Sequence, residues 1–221
     1  MTVEIWKPIK NFENEYELIF INDGSRDKCG DIVREYIETK NPHVRLVDYE
    51  TNMGKGYAVR QGVLASEGDI VMFTDCDLAY GTDVIKRFYD EMIKSGADIA
   101  VGSRNLDKSG YEGYTFTRKL ASKLYIKVLC IIGGLRLSDS QCGCKAFDGK
   151  MGKSIFSLCE VNRFAFDFEA ILIGTHKKAK IIEIPVKIIN HSESSMHIVS
   201  DSIKMVRDIM KMKKRIRKME K

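Results

Sequence analysis

The sequence lacks a long apolar run and an apolar N-terminus. Its longest apolar stretch, Leu124 to Leu135, is interrupted by Lys127 and falls short of the roughly 18 to 20 residues that a membrane-spanning helix needs. The N-terminus carries Glu4 and Lys7 where a secretory signal would need an apolar segment. We therefore expect no segment that crosses a bilayer, no secretory leader and a cytoplasmic location.

Cysteine and histidine are present, but without the spacing of metal ligands. The six cysteines include no C-x-x-C pair, and the four histidines are dispersed. This arrangement argues against a structural zinc site and favours reduced thiols. The chain also lacks a linker rich in Pro, Gly or Ser, so we expect one domain of residues 1–200 followed by a tail of residues 201–221.

Positive charge is concentrated in that tail. Residues 201–221 carry nine Lys or Arg against three acids, while the whole chain has a net charge of +5. Apolar residues recur among these cations at three- or four-residue spacing: Ile203, Val206, Ile209, Met210, Ile216 and Met219. The pattern predicts a basic amphipathic helix on an anionic membrane surface, with a solvated helix end as the alternative. No aromatic residue lies among the cations, which argues against a nucleic-acid partner.

Apolar strands alternate with amphipathic helices in the first half of the chain. The expected strands are Tyr16 to Asn22, Val44 to Asp48, Asp69 to Asp75 and Asp98 to Gly102. The expected helices are Asp27 to about Lys40, Lys55 to Ser66 and Thr82 to Ser95. The alternation predicts an α/β fold with a mostly parallel sheet covered by helices.

The alternation stops after Arg104. A polar loop, Asn105 to Tyr114, precedes an apolar helix from about Phe116 to Ile132, and a last strand is expected at Ile181 to Ile189. A loop of this kind beside the strand ends suits a lid over bound substrate.

Acidic and polar side chains follow two of the expected strands. Asp75 and Asp77 are two residues apart, so their carboxylates leave the strand on the same side. Paired carboxylates suit a hard divalent cation, which in turn can hold a diphosphate. An isolated D-x-D is also compatible with a solvated strand end. No G-x-G-x-x-G follows a strand, so a nicotinamide cofactor is a poor fit.

The order of the motifs resembles that of the family 2 glycosyltransferases. The matching segments are NDGSRD at Asn22 to Asp27, NMGKG at Asn52 to Gly56, DCD at Asp75 to Asp77, DSQCGCKAF at Asp139 to Phe147 and FAFDFE at Phe164 to Glu169. Within the family, the last two segments are most similar to those of the polyprenyl-phosphate sugar synthases, the dolichyl-phosphate glucosyltransferases in particular. The resemblance covers about Tyr16 to Lys213 and implies a GT-A-type, Rossmann-like fold.

The resemblance also implies an activity. Members of this group transfer a hexose, here glucose from UDP-glucose, to a polyprenyl or dolichyl phosphate at a membrane surface, with inversion at the anomeric carbon and with Mg²⁺ or Mn²⁺. Two alternatives remain open. In the first, the acceptor would be a saccharide hydroxyl. In the second, the chain would be a non-catalytic, truncated relative.

Site residues follow from the matched motifs. The metal would be held by Asp75 and Asp77, with Asp77 also counted as catalytic. The nucleotide would be contacted by Asn22, Asp23, Ser25, Lys55 and Asp75, although Asn22 replaces an acid that is usual in the family. The acceptor phosphate would be bound by Arg104, Arg118, Ser122, Gln141 and Lys145. Asp139 would act as the base toward a hydroxyl acceptor, and Asp167 and Glu169 would orient site residues or begin a helix.

One family element has no counterpart in the sequence. Members of the family begin with an interior strand of the form VVIPxYNE, whereas Met1 to Glu15 resembles only the end of the helix that follows it. The resemblance therefore implies a gap in the middle of the sheet, or its occupation by Thr2 to Trp6. Two rows of unpaired backbone groups would border such a gap.

Overall fold

A computed structural model describes residues 15–40, 43–163, 165–189, 198–216 and 218. The strands are β1 (Leu18–Asp23), β2 (Val44–Tyr49), β3 (Ile70–Phe73), β4 (Ile99–Ser103), β5 (Lys145–Asp148) and β6 (Ile181–Pro185). The helices are α1 (Cys29–Lys40), α2 (Lys55–Ala65), α3 (Asp83–Ser95), α4 (Phe116–Gly133), α5 (Gly149–Phe156), α6 (Phe166–His176) and α7 (Ile198–Ile216). No helix in these ranges combines the length and apolar character needed to cross a membrane.

The strands form two separate sheets. β1 pairs with β2 in parallel, and the other four strands follow the order β3-β5-β4-β6. In the second sheet β4 and β6 are parallel, whereas β5 runs antiparallel to both of its neighbours. The α/β architecture agrees with the expectation from the sequence, and the strands and helices up to β4 lie close to their expected positions. The antiparallel strand β5 and the helix α5 were not expected, whereas α6 carries Asp167 and Glu169 in its first turn, and a helix start was one of the two interpretations of these acids.

A cavity separates the two sheets. It has a volume of about 650 Å³ and is lined by β1 and β3 on opposite sides and by residues of α2 and α3. Within the described part of the chain, β1 pairs only with β2, and β3 pairs only with β5. Among the described residues no strand lies between β1 and β3, and the gap that the resemblance implied stays a prediction. Thr2 to Trp6, the segment considered for this place, lies outside the described residues.

The main core lies where α5, α6 and α7 pack with the second sheet. Phe147, Phe156 and Phe168 are fully buried there. Ile209 and Ile216 of α7 pack into the same cluster, so these apolar residues of the basic tail are buried against the domain. The division into a domain of residues 1–200 and a tail of residues 201–221 stays a prediction.

We predict that the two sheets differ in local stability. A two-stranded sheet is marginal by itself, and among the described strands β1 pairs with β2 alone. The amides of β1 and β2 should therefore exchange with solvent on the order of tenfold or more faster than those of β4 and β5. Hydrogen exchange followed by mass spectrometry of the native protein measures this difference. Equal protection in the two sheets would contradict it.

Candidate active site

Asp23 holds the loop that leads into α2. Its carboxylate accepts hydrogen bonds from the backbone N–H groups of Met53 (2.8 Å) and Gly54 (2.9 Å). The side-chain amide of Asn52 donates to the Asp23 carbonyl oxygen at 2.9 Å. Gly24 has a φ of 65°, and a Cβ there would lie 2.5 Å from the Asn52 nitrogen. The end of β1 is thus packed tightly against the N-x-GKG motif, as their common assignment to nucleotide contact requires.

Asn22 and Ser25 complete the turn after β1. The Asn22 amide donates to Asp48 Oδ1 at 2.8 Å, and its oxygen accepts from the Ser25 backbone N–H at 3.2 Å. Ser25 is exposed. Asn22 therefore donates a hydrogen bond to the neighbouring acid, Asp48. An acid at position 22 would instead be repelled by the Asp48 carboxylate.

Asp75 and Asp77 follow β3 on a tight turn. The Lys55 ammonium forms an ion pair with the Asp75 carboxylate, and both side chains are more than one third exposed. Asp77 is exposed and accepts a hydrogen bond from the Ala79 N–H at 3.0 Å. Between them and the next helix, Leu78 adopts a φ of 50°, a left-handed conformation that costs a residue with a Cβ about 1 to 2 kcal/mol. A strained turn thus presents both carboxylates at the strand end.

The residues at this turn fit a divalent cation that is shared with a ligand. No cluster of three or more His, Cys, Asp or Glu side chains suitable for a metal occurs in the described ranges. Two partly exposed carboxylates are the protein ligands typical of Mg²⁺ sites in which substrate phosphates supply further oxygens. Asp75 and Asp77 therefore suit a metal that arrives with a diphosphate.

Gly143 brings the DSQCGCKAF segment against Asp75. A Cβ at this glycine would lie 2.5 Å from Asp75 Oδ2. The Gly143 N–H also donates to the Tyr80 hydroxyl at 3.3 Å, and Tyr80 is buried in the core beneath. Two motifs that are more than sixty residues apart therefore meet at one carboxylate.

Arg104 and Asp139 form a buried ion pair next to this segment. Arg104 Nε donates to Asp139 Oδ2 at 2.7 Å and Nη2 donates to Oδ1 at 3.0 Å. Asp139 also accepts from the backbone N–H groups of Arg104 (3.2 Å) and Gln141 (3.0 Å). Burial opposes the charge on Arg104, but the adjacent carboxylate outweighs burial and holds the Arg104 pKa well above its usual value. Each oxygen of Asp139 thus accepts two hydrogen bonds.

Three cations surround the buried ring of Tyr111. The guanidinium of Arg104 lies 5.4 Å from the ring centroid, and the ammonium groups of Lys119 and Lys123 lie at 5.9 and 5.6 Å. Burial raises the pKa of the Tyr111 phenol, so the ring stays neutral at physiological pH. Each contact between a cation and an aromatic ring stabilises the structure only modestly. Together they place positive charge where α4 begins.

Two expected acceptor residues also lie on α4. Ser122 is partly buried on this helix. Arg118 lies one turn before it, and its side chain is outside the described part of the structure. The helix thus carries Arg118 and Ser122 together with the two lysines that surround Tyr111.

Lys145 is not accessible from the strand ends in this structure. Its side chain is fully buried and donates to the Cys142 carbonyl at 2.5 Å and to Asp167 Oδ2 at 2.8 Å. The structure therefore binds Lys145 to Asp167, the first acid of the FDFE segment, and does not place it at an exposed position where an acceptor phosphate would reach it. Gln141 remains beside Asp139 at the surface of the site.

Glu169, the second acid of that segment, joins three parts of the chain. It is fully buried in the first turn of α6. Its carboxylate accepts from the backbone N–H groups of Glu160 (3.0 Å) and Val161 (2.9 Å) and from Arg215 Nη2 of α7 (2.6 Å). Glu169 therefore lies at a helix start, as one interpretation of the sequence had it, and in addition it anchors the preceding loop and α7.

The loop that precedes α6 holds the start of α2. The Asn162 carbonyl accepts from the N–H groups of Gly56 (2.8 Å) and Tyr57 (3.2 Å), which have no partner within the helix. Arg60 of α2 donates to the Asn162 side chain at 3.1 Å. Because Lys55 is the first residue of α2, this loop fixes the backbone from which Lys55 reaches Asp75.

Sequence reasoning missed Glu183, which fixes the other end of the site. From β6 its carboxylate accepts from the Ser138 N–H (2.9 Å), the Ser138 hydroxyl (2.6 Å) and the Asp139 N–H (3.2 Å). The signal available was an acid in an otherwise apolar strand, IIEIP. Tyr111 was missed because it lies in no charged motif, and Gly143 was missed because a glycine in the DSQCGCKAF segment has no side-chain chemistry of its own.

Comparison with known proteins identifies similar sequences. The profile of the family described as Glycosyl transferase family 2 matches residues 4–150. A dolichyl-phosphate beta-glucosyltransferase of Trichomonas vaginalis is 33% identical over 195 residues, which cover 86% of this chain and 57% of that protein. The human protein of the same name is 30% identical, with 77% of this chain and 55% of that protein covered. The chain thus spans little more than half the length of these relatives.

Similar solved structures support the fold. Glucosyl-3-phosphoglycerate synthase from Mycobacterium tuberculosis, in complex with phosphoglyceric acid, superposes with a TM-score of 0.61 at 17% identity, covering 89% of this chain and 68% of that one. The same enzyme with Mn²⁺, UDP-glucose and glycerol 3-phosphate gives a TM-score of 0.60 at 18% identity, with 89% and 67% covered. At this level of identity the likeness establishes a shared fold.

We predict that Gly143→Ala weakens metal binding without unfolding the protein. The added methyl group would displace the Asp75 carboxylate, whose side chain can move because it is partly exposed. Perturbing the surroundings of a metal ligand typically lowers affinity about 10- to 100-fold. Titration of Mn²⁺ in the presence of UDP measures the change. Gly62→Ala, whose Cβ meets only the end of Ile21 at 3.3 Å, is the control, and equal affinities in the two variants would refute the contact.

We also predict that Glu169→Gln lowers the free energy of unfolding by about 3 to 5 kcal/mol, because it breaks a buried ion pair. Glu160→Gln provides a matched control. Glu160 pairs with the same Arg215, but its side chain is 71% exposed, so its loss should cost less than about 1 kcal/mol. Urea unfolding of both variants measures the difference. Similar costs would mean that the buried pair does not anchor the loop.

Proposed function

Because this chain belongs to glycosyl transferase family 2, we propose that it transfers glucose from UDP-glucose to a dolichyl or polyprenyl phosphate, with inversion at the anomeric carbon. The observation that carries the proposal is the meeting of two chemistries at one edge. A pair of carboxylates suited to a metal and diphosphate lies at the end of β3, and cations on α4 and Arg104 gather around Tyr111. The names of the similar proteins favour glucose and dolichyl phosphate.

The donor diphosphate would bind at Asp75 and Asp77. Bound Mg²⁺ or Mn²⁺ would supply a positive charge that stabilises the departing nucleoside diphosphate. Lys55 forms an ion pair with Asp75 and would also supply positive charge beside a diphosphate held at that carboxylate. Asp23 contributes by holding the backbone of Met53 and Gly54, which orders the segment expected to contact the nucleoside.

The acceptor needs a cationic site more than it needs a base. A phosphate monoester has a second pKa of about 6, so its oxygen is already anionic at neutral pH. Arg104 would present its guanidinium to that phosphate, together with Arg118, Ser122 and Gln141. Guanidinium groups suit phosphate geometry because their N–H groups form a planar fork.

Asp139 supports this choice of acceptor. Both of its oxygens are saturated by Arg104 and by backbone N–H groups, so it is poorly placed to remove a proton from a sugar hydroxyl. We assign Asp139 the role of positioning Arg104. Lys145 would act in the same indirect way, because its ammonium is committed to Asp167.

A non-catalytic relative is the second candidate, and the cavity between the sheets favours it. The cavity reaches Lys55, Asp75 and Cys76, so within the described ranges no strand fills the space between β1 and β3 beside the donor site. A site that is not held in place loses much of its catalytic advantage, since small misplacements are costly.

We predict that UDP binds in a metal-dependent manner and that Asp77→Asn abolishes that dependence. Calorimetric titration of UDP and GDP, each with and without Mn²⁺, measures the binding. Asp90→Asn removes a carboxylate on α3 that is 52% exposed, and it should leave binding unchanged. Radiolabelled glucose should then pass from UDP-glucose into organic solvent when dolichyl phosphate is present. Folded protein that binds neither nucleotide would favour the non-catalytic alternative.

A further inference from the structure

Tyr111 carries a buried hydroxyl group that makes no hydrogen bond within the described part of the chain. The residue is 4% exposed, and its oxygen has no partner there. Buried hydroxyl groups are nearly always hydrogen-bonded, because an unpaired one loses its contacts with water and gains nothing in exchange. A phenylalanine would fill the same space without that cost. The hydroxyl therefore points to a partner other than the protein chain itself.

Two of the expected acceptor residues are neighbours of this phenol. Burial raises the pKa of Tyr111, and Arg104 and Ser122 act in the opposite direction because both are close to it. Ser122 belongs to α4, whereas Arg104 directly follows β4. The phenol thus lies where the end of a strand meets the helix that carries the other acceptor residues.

The loop that carries Tyr111 is packed against Arg104. Its backbone forms successive turns, in which the N–H groups of Gly110, Glu112 and Tyr114 donate to the carbonyl oxygens three residues earlier, at 3.1, 2.9 and 3.1 Å. A Cβ at Gly110 would collide with the Arg104 carbonyl oxygen, so the loop approaches this residue as closely as only a glycine permits. The place of Tyr111 beside Arg104 is therefore set by the backbone.

Positive charge exceeds negative charge around Tyr111. The cationic groups of Arg104, Lys119 and Lys123 lie 5.4, 5.9 and 5.6 Å from the ring centroid. Asp139 pairs with Arg104, whereas neither lysine forms an ion pair within the described ranges. Asp139 accepts from Nε and Nη2 only, so the guanidinium keeps N–H groups for a ligand. Three cations and one carboxylate leave two positive charges, which match the charge of about −1.5 to −2 on a phosphate monoester.

We propose that the Tyr111 hydroxyl binds the phosphate group of the isoprenoid acceptor, donating a hydrogen bond to one of its oxygens while Arg104 and the two lysines compensate its charge. A neutral phenol suits this position because it donates to an anion without adding a further charge to the cluster. The identity of the acceptor rests on the proposed function, whereas binding of a phosphate monoester at Tyr111 does not.

Tyr111→Phe isolates the hydroxyl, because the variant keeps the ring and its contacts with the three cations. Removing a buried hydroxyl that has no partner leaves no other group unsatisfied. The midpoint of urea unfolding should therefore stay the same or rise. A lower midpoint would show that the hydroxyl holds the free protein together, and it would overturn the proposal.

The binding test is titration of the purified chain with dimethylallyl phosphate, a water-soluble isoprenyl phosphate monoester, and with inorganic phosphate, followed by NMR in the absence of nucleotide. The wild type should bind both. Tyr111→Phe should weaken binding at least about tenfold, the loss typical of one hydrogen bond to a charged group. Tyr36→Phe removes a phenol hydroxyl on α1, in the cluster beside the smaller sheet, and should bind as the wild type does. Equal affinities of the wild type and Tyr111→Phe, or no binding by the wild type, would contradict the proposal.

A kinetic measurement distinguishes the lipid acceptor from free phosphate. In glucose transfer from UDP-glucose to dolichyl phosphate, Tyr111→Phe should raise the KM for dolichyl phosphate at least about tenfold and leave the KM for UDP-glucose unchanged. Binding of inorganic phosphate that depends on Tyr111, together with an unchanged KM for dolichyl phosphate, would overturn the assignment to the acceptor. If no glucose is transferred while binding of dimethylallyl phosphate still depends on Tyr111, the proposed function fails and the phosphate site stands.

Discussion

The contacts of the buried Glu169 carboxylate hold together segments on which the arrangement of the site depends. The carboxylate binds Arg215 of α7 and the backbone of the loop that precedes α6. The next carbonyl in that loop, from Asn162, then satisfies the first N–H groups of α2. A buried charge must be compensated on every side, and here the compensation comes from segments far apart in sequence. The position of Lys55 beside Asp75 is therefore set in part by residues near the C-terminus.

A second buried pair, Arg104 with Asp139, organises the other side of the site. Asp139 is itself held by its backbone N–H to Glu183 of β6, so the guanidinium is fixed by a chain of contacts that ends in the second sheet. The pair offsets the cost of burying the Arg104 guanidinium, which is charged at any physiological pH. It also gives α4 a defined inner neighbour, because Tyr111 packs between Arg104 and the lysines of that helix.

The cavity between β1 and β3 has the opposite effect. The donor side of the site is divided between two sheets that share no backbone hydrogen bonds in the described ranges, and they are joined mainly through α2 and the motif contacts at the strand ends. Asp23 therefore belongs to the smaller sheet, while Asp75 belongs to the larger one. Because the two carboxylates are tied together by loops rather than by a continuous sheet, the donor side is expected to be the less rigid part of the site.

Local periodicity in the sequence was sufficient to place the first four strands and three helices, and the motifs predicted which residues lie together at the strand ends. Beyond the acids at its start, α6 shows no amphipathic period because most of its residues are apolar and buried, and β5 was missed because a four-residue strand is too short to show a period. Only the tertiary structure decided which charged residues face the site. Nothing in the sequence near Arg104, Lys145 or Glu169 indicates which residue each one binds. Their partners lie 35, 22 and 46 residues away, and long-range ion pairing has no local pattern. The same holds for the amphipathic helix α7: periodicity identifies its apolar face, whereas packing determines that this face is covered.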